Sequence, residues 1–421
     1  MNLFKRLLGI DSKSETPAPA ADAGKKQRLM SLDALRGFDM FWIVGGEGVL
    51  HTWSKTSGSP FAHLMQSQME HSRWVGLTFY DIIFPLFVFI TGVSLVFSLG
   101  KLLREHGQSG ALKRIFWRGL LLYLLGIIYN GGVSHLWPDV RITGVLPRIA
   151  VAYVGAGLIF CLFKERIRWA IAALLLAGYW ALLTFVPIRD IAVEKHALRE
   201  RLGAEPTLEQ VHQLYENTHT TVTGHYGPGY NLADHLDFLY LPGAKCDTYF
   251  DPEGLLSMLP AIATCLLGVF AGCWLIRKDR TEGQKLAGLF VAGVLCLGLG
   301  CLWAIQFPII KKLWTSSYVL TVGGLSLLLL GIFYYIVDMR RWRGWCQPFV
   351  WIGLNPITLY LASSLVDFHQ IARRFVGGSV SAFFDTHFCA GASAVVVAIS
   401  AVGLLLLLAR FLHRKQIYLR V

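Results

Sequence analysis

The chain has 421 residues, of which 54% are hydrophobic and only 16% charged, with a mean hydropathy of +0.50. That balance excludes an ordinary soluble globule. The formal net charge of +12 invites a nucleic-acid reading, but the charges are spread over short segments between apolar runs, so no nucleic-acid partner is expected.

Residues 1–29 are polar, with a Ser/Pro/Ala-rich stretch flanked by Lys5, Arg6, Lys25, Lys26 and Arg28. They read as a disordered cytoplasmic tail, with no cleavable signal peptide, whose basic residues face anionic lipid. A helix crossing ~30 Å of hydrocarbon needs roughly 20 residues. Ten segments qualify, near 30–52, 74–99, 114–131, 143–163, 167–187, 254–276, 285–306, 316–337, 348–368 and 389–411. The expected fold is therefore an all-α polytopic membrane protein of about ten helices. Its transmembrane domain runs over 30–413, and a short cytoplasmic tail covers 414–421.

With the N-terminus inside, the even loops carry the cations: Lys101 to Arg114, Lys164 to Arg168, Arg277 to Lys285 and Arg340 to Arg343. The C-terminus adds Arg414, Lys415 and Arg420, while Lys311, Lys312, Arg373 and Arg374 are exceptions on the other side. This is the positive-inside pattern, so the charge reports orientation. Both termini are placed in the cytoplasm. The eight cysteines show no CxxC or His/Cys ligand spacing, so neither a disulfide framework nor a metal site is expected.

The first apolar segment opens Ser31-Leu-Asp-Ala-Leu-Arg-Gly-Phe-Asp39 and continues to Glu47 and His51. At roughly 100° per residue, Asp33, Arg36, Glu47 and His51 fall within about 60° of one another, although Gly45-Gly46 can bend the helix. This is either an interfacial ion pair started by Ser31 as N-cap or a polar stripe lining a cavity. The cost of charge in lipid favours the stripe.

The second segment is preceded by Glu70-His-Ser-Arg-Trp-Val-Gly-Leu-Thr-Phe-Tyr-Asp81. A histidine at a membrane mouth, with a carboxylate ten residues on, suits proton abstraction near neutrality. His51 and His63 are rivals on this argument, and a structural role for all three stays open. Further polar insertions are Arg148 after Pro147, Glu253 in Asp251-Pro-Glu-Gly, and Asn355 before Pro356. The two prolines are expected to break or kink helices and free backbone groups. Arg148 suits a phosphate or a carboxylate; Glu253 equally suits a helix dipole. Between the fifth and sixth segments, 188–252 is a long polar stretch expected outside the cytoplasm, where it can cap a cavity.

Five motifs in order then make the chain resemble the heparan-α-glucosaminide N-acetyltransferase family, particularly its bacterial members. They are Arg28-Leu-Met-Ser-Leu-Asp-Ala-Leu-Arg-Gly37, His71 to Pro85, Arg141-Ile-Thr-Gly-Val-Leu-Pro-Arg148, Tyr249-Phe-Asp-Pro-Glu-Gly-Leu-Leu256 and Lys312-Leu-Trp-Thr-Ser-Ser-Tyr318. The resemblance implies an inner-membrane enzyme that takes acetyl-CoA from the cytoplasm and acetylates the amine of a glucosamine-type sugar on the other side. It places His71 at the active-site histidine, with Asp33 beside it as the second catalytic candidate. Arg36, Glu47, Asp81, Arg148, Glu253 and Asn355 are assigned to the CoA path or the substrate. Gly48–Glu70 is longer than in the family's lysosomal enzyme, and Glu47 stands where that enzyme has Asn. A free amino sugar or cell-wall fragment is therefore the expected acceptor.

Chemically, the amine must lose a proton to attack the thioester, and His71 can take it. In the alternative route His71 is itself acetylated first. A permease for N-acetylglucosamine is the competing function class, and a member lacking both activities is a third. Membrane lipid is an expected partner, and a homodimer is left open.

Overall fold

The computed structural model describes residues 29–418 except 133, 135 and 204; the N-terminal tail expected at 1–29 thus lies almost wholly outside the described residues. The chain is an all-α polytopic membrane protein. Among the described residues, seven helices are long and apolar enough to cross a membrane: Phe79–Tyr129, Val145–Leu162, Glu165–Phe185, Met258–Leu275, Glu282–Trp303, Ser316–Met339 and Ala392–Arg414. The strand content among the described residues is one short antiparallel ribbon pairing Ile188 with Val222 and Arg189 with Thr221. The described residues form two compact units, one running up to residue 70 and resuming at 329, the other between 71 and 328.

In the first unit, the segment expected as one helix over 30–52 is interrupted. Met30–Phe41 gives way at Trp42–Gly46 to a wider π turn, with Gly45 outside helical geometry, before Glu47–Ser57 resumes. The Gly-Gly pair is the cause, and it breaks the continuous register on which Asp33, Arg36, Glu47 and His51 were placed on one stripe. Ser31 does not cap this helix by its side chain; the Asp338 carboxylate accepts from the Met30 and Ser31 amides at 3.3 Å each, satisfying two of the orphan donors at the helix start. The helix crosses Gln347–Leu354 closely. A Cβ on Gly37 would stand 1.6 Å from the Phe349 carbonyl oxygen, and one on Gly353 would stand 1.9 Å from that of Asp33, so only glycine lets the backbones meet. The segment expected at 348–368 breaks at Asn355, as Pro356 demands, into Gln347–Leu354 and Pro356–Leu365.

In the second unit, the segments expected at 74–99 and 114–131 form one 51-residue run, Phe79–Tyr129, divided at Gly107 (φ 67°). The run starts later than expected because Thr78 and Asp81 form a capping box there. It packs on Met258–Leu275 through glycine again: a Cβ on Gly92 or on Gly268 would lie 1.9 Å from the carbonyl oxygens of Cys265 and Phe89. Pro147 does not break its helix. It occupies the first turn of Val145–Leu162, where a missing N–H costs nothing.

The segment 188–252 is folded. Helices Lys195–Leu202, Leu208–Asn217 and Leu232–Tyr240 close over a core of Ile191, Val193, Leu198, Val211, Tyr215, Phe238, Tyr249 and Phe250. At its centre His235 meets the Tyr215 hydroxyl at 3.2 Å and the Ile191 carbonyl at 3.0 Å. Burial pulls this histidine down to about 4 and pushes the neighbouring Asp234 up to about 8.

Candidate active site

Asp81 is the centre of the site. Its side chain is fully buried at the start of Phe79–Tyr129, and its two oxygens are divided between two tasks. Oδ2 accepts from the Ser72 amide at 3.1 Å, the Thr78 amide at 3.2 Å and the Thr78 hydroxyl at 3.1 Å. Oδ1 faces His71 Nδ1 at 2.9 Å and Lys311 Nζ at 3.1 Å. Backbone and cap donors therefore fix the carboxylate, and the fixed carboxylate orients the imidazole. His71 stacks on Tyr80 with ring centroids 4.9 Å apart and leaves about half of its side chain accessible, 54%.

Lys311 completes a triad. Its Nζ lies 2.8 Å from His71 Nδ1 and 3.3 Å from Nε2. Burial pulls the ammonium below the usual lysine range, with the Asp81 charge opposing that shift. The turn that carries it is over-determined. Thr315 Oγ1 accepts from the Ile310 amide at 3.1 Å and donates to the Pro308 carbonyl at 2.9 Å, and Ser317 Oγ donates to the same carbonyl at 3.1 Å. Phe307, Ile310 and Leu313 anchor the turn in a core with Tyr179 and Leu183. A backbone link, Gly76 N to Ile309 O at 2.9 Å, ties it to the strand-like stretch after His71.

Pro85 explains another contact. Lacking an N–H, it cannot close the helical bond to the Asp81 carbonyl, and the Tyr318 hydroxyl donates to that carbonyl at 2.7 Å instead. Tyr318 leans on Trp314, edge to face at 5.4 Å. Trp314 is held at a positive φ of 54°, a strained backbone of the kind that accompanies functional sites. Its ring lies 4.5 Å below the Arg148 guanidinium.

Arg148 leads to a second polar group. It is buried and donates to the Pro252 carbonyl at 2.7 Å and to the Ser257 hydroxyl. Next to it Arg141 grips Asp251 with two bonds of 2.9 Å and Glu253 with one of 2.8 Å. Burial works against Arg141's charge, but the paired carboxylates outweigh it and raise the guanidinium further. Burial likewise opposes ionisation of Asp251, and Arg141 overrides it, holding the carboxyl below its ordinary range. Glu253 is pushed up by burial, with Arg148 opposing. Gly254 has no room for a side chain: a Cβ would stand 1.7 Å from Asp237 Oδ2, a carboxyl that itself accepts from the Leu255 amide at 2.9 Å.

Of the residues expected from sequence, His71 and Asp81 come into direct contact, and Arg148 and Glu253 join through Pro252 and the Arg141 cluster. Asp33, Arg36, Glu47 and Asn355 belong to the other unit. There Asp33 pairs with Arg36 at 3.4 Å, and Arg36 also donates to the Gly353 carbonyl at 3.2 Å. Glu47 opens its helix, and Asn355 donates to the Ile417 carbonyl at 3.0 Å. Among the described residues, the rival histidines meet an amide and a hydroxyl: Gln66 meets His51 at 3.1 Å, and Ser54 meets His63 at 3.0 Å. Lys311 and Arg141 were not singled out from sequence. Arg141 opens a quoted motif, and Lys311 immediately precedes another.

Part of this site lies in a segment that resembles a known protein family. Residues 28–197, which include His71, Asp81, Arg141 and Arg148, match the family model described as heparan-alpha-glucosaminide N-acetyltransferase, catalytic. The mouse (Mus musculus) heparan-alpha-glucosaminide N-acetyltransferase is 28% identical over 406 residues, covering 85% of this chain and 57% of that protein. Over these residues the chain resembles that family. The human (Homo sapiens) enzyme of the same name is 29% identical over 381 residues, covering 81% of this chain and 53% of its own length. The chain thus spans about half the length of the curated relatives it matches.

Proposed function

We propose that this protein is a transmembrane N-acetyltransferase that moves the acetyl group of cytoplasmic acetyl-CoA onto the amine of a glucosamine-type sugar on the opposite side of the membrane. The observation that carries the reading is the His71–Asp81–Lys311 triad, two of whose members lie within the matched catalytic segment. A histidine held by a buried carboxylate is the arrangement that proton abstraction requires.

When Nδ1–H donates to Asp81, the lone pair sits on Nε2, 3.3 Å from a Lys311 Nζ that lies nearer still, at 2.8 Å, to Nδ1. Nε2 takes a proton from the sugar ammonium, and the lone pair this frees on the amine bonds to the thioester carbon. The carbon–sulfur bond then breaks as the His71 imidazolium gives its proton to the sulfur, which leaves as the CoA thiol, and the nitrogen sheds its second proton to water to give the amide. Lys311 supplies a positive charge beside that carbon, suited to the oxygen that becomes negative in the tetrahedral intermediate. Arg148 and Arg141 lie deeper in the unit, and there we assign Arg148 and Glu253 to substrate positioning. In the other unit we assign Asp33 to catalysis and Arg36, Glu47 and Asn355 to the CoA path.

The deciding experiment gives purified protein acetyl-CoA and glucosamine and follows free thiol and acetylated sugar together. Sugar-dependent thiol release that His71→Ala abolishes is the expected result. Release unchanged in that variant overturns the assignment. A burst of thiol before steady turnover would direct the acetyl group through His71 itself.

A further inference from the structure

Residues next to the triad in sequence help line a cavity of about 350 Å³, whose walls include Arg73, Trp74, Glu194, Lys195, Asp247 and Lys312. Its walls are continuous with the triad along the backbone. Arg73 and Trp74 follow His71 by two and three residues, and Lys312 follows Lys311. The Val75–Ile310 bridge holds the two stretches side by side. The volume is at the small end of the range for small-molecule sites, roughly 300–1,000 Å³, which suits a single sugar unit.

The lining has a sign. Lys312 is matched by Asp247 at 2.7 Å. The Glu194 carboxylate is occupied as a helix cap, accepting from the His196 and Ala197 amides at 3.0 and 3.1 Å. Arg73 and Lys195 have no ion-pair partner among the described residues, and with Lys312 set against Asp247 and Glu194 the lining carries one net positive charge. Trp74 is fixed for stacking. Its indole N–H donates to the Tyr226 carbonyl at 2.7 Å, its edge meets Phe250 at 6.5 Å, and Lys312 lies 5.9 Å over its ring. A rigid aromatic face beside free cations recognises a ring that bears a negative group.

We infer that this cavity is the acceptor pocket and that it selects an amino sugar carrying an anionic substituent, held by Arg73 and Lys195 against Trp74. The inference rests on the acetyl-transfer reading for its turnover arm and stands on binding alone for the other. In the turnover arm, the full-length protein is given acetyl-CoA with glucosamine, glucosamine 6-phosphate or muramic acid. The last two separate a phosphate from a carboxylate. At least one charged sugar is expected to exceed glucosamine about tenfold in kcat/KM, with that ratio shrinking in high salt and falling by roughly tenfold in Arg73→Gln or Lys195→Gln.

In the binding arm, the same three sugars are titrated against tryptophan fluorescence without acetyl-CoA, with Trp74→Phe assigning the signal. Tighter binding of a charged sugar, lost in Arg73→Gln, supports the pocket even if no thiol is released. Thiol release that fails with all three sugars counts against acetyl transfer and leaves the binding result to decide the pocket. Equal binding of all three sugars, or a variant that weakens charged and neutral sugars alike, overturns it.

Discussion

Replacing Asp81 by Asn tests the triad most directly, because it changes one charge and almost no volume. The three donors at Oδ2, the Ser72 and Thr78 amides and the Thr78 hydroxyl, dictate how the amide settles: its carbonyl oxygen must face them. Its NH2 then occupies the place of Oδ1 and points at His71 Nδ1 and Lys311 Nζ. A donor now faces Nδ1, so the imidazole must accept there and carry its hydrogen on Nε2, the nitrogen needed as base. Wrong-tautomer variants of this kind lose about 10⁴-fold in turnover, equivalent to roughly 5.5 kcal/mol of barrier.

Stability falls as well, because a buried ammonium left without its partner costs about 3–5 kcal/mol, reduced to the extent that Lys311 sheds its proton. That release has its own signature. Burial depresses Lys311 and Asp81 opposes the depression, so removing Asp81 lets it fall further and shifts the alkaline limb of the activity profile to lower pH. Thiol-release kinetics across pH, with thermal unfolding in detergent alongside, reads all three effects. A variant within about threefold of the parent rate and with an unmoved alkaline limb would refute the triad.

Other expectations follow from named contacts. Arg141→Ala strands the buried Asp251 carboxylate and should cost about 3–5 kcal/mol. Because Arg141 holds Asp251 below its ordinary range, the stability it gives is present at neutral pH and lost as pH falls through the depressed value. The variant's thermal midpoint should therefore fall less on acidification than the parent's. Asp234 is raised to about 8 by burial, so its folded state favours the protonated form and loses stability as pH rises from about 4 through 8. Asp234→Asn, which keeps an oxygen for the Gly229 and Asn231 donors, should flatten the loss in thermal midpoint between pH 6 and pH 9. Gly268→Ala forces a methyl against the Phe89 carbonyl and should lower the thermal midpoint by the equivalent of about 1–3 kcal/mol, with circular dichroism in detergent as the check.

The helical class was legible because hydrocarbon thickness acts on composition, and composition is all a hydropathy reading uses. Helix ends were less so. The start at Phe79 depends on a reciprocal cap between Thr78 and Asp81, where apolar patterning extends the helix back to Trp74. Pro147 and Pro356 both fall in a helical first turn, but Val145–Leu162 follows a non-helical stretch whereas Pro356–Leu365 follows directly on the helix Gln347–Leu354, so only the second proline marks a break. The folded segment 188–252 read as a polar stretch because its helices are short and its buried centre is built partly from polar residues, His235 and Asp234 among them.

The same physics explains the division within the site. His71 and Asp81 are ten residues apart and linked by one turn, so their pairing could be anticipated from local chain geometry. Lys311 is 240 residues from His71, next to a second lysine in an otherwise apolar or hydroxylic stretch, and by charge counting it read only as an exception to the orientation rule. What makes it a partner is the turn that presents it, and that turn is set by two hydroxyls, Thr315 and Ser317, bonded to a single carbonyl. Hydroxyls inside an apolar run carry no sequence signal that separates a turn lock from a helix back-bond. The motif Lys312-Leu-Trp-Thr-Ser-Ser-Tyr318 therefore acts as a unit. Its hydroxyls shape the turn, Trp314 supports Arg148, and Tyr318 satisfies the carbonyl that Pro85 leaves open at Asp81. Tyr318→Phe strips one donor from a buried carbonyl beside the triad. The expected loss is about 1–3 kcal/mol of stability, with the activity loss concentrated in kcat because the carbonyl belongs to Asp81. A rise confined to KM would instead place Tyr318 with the substrate.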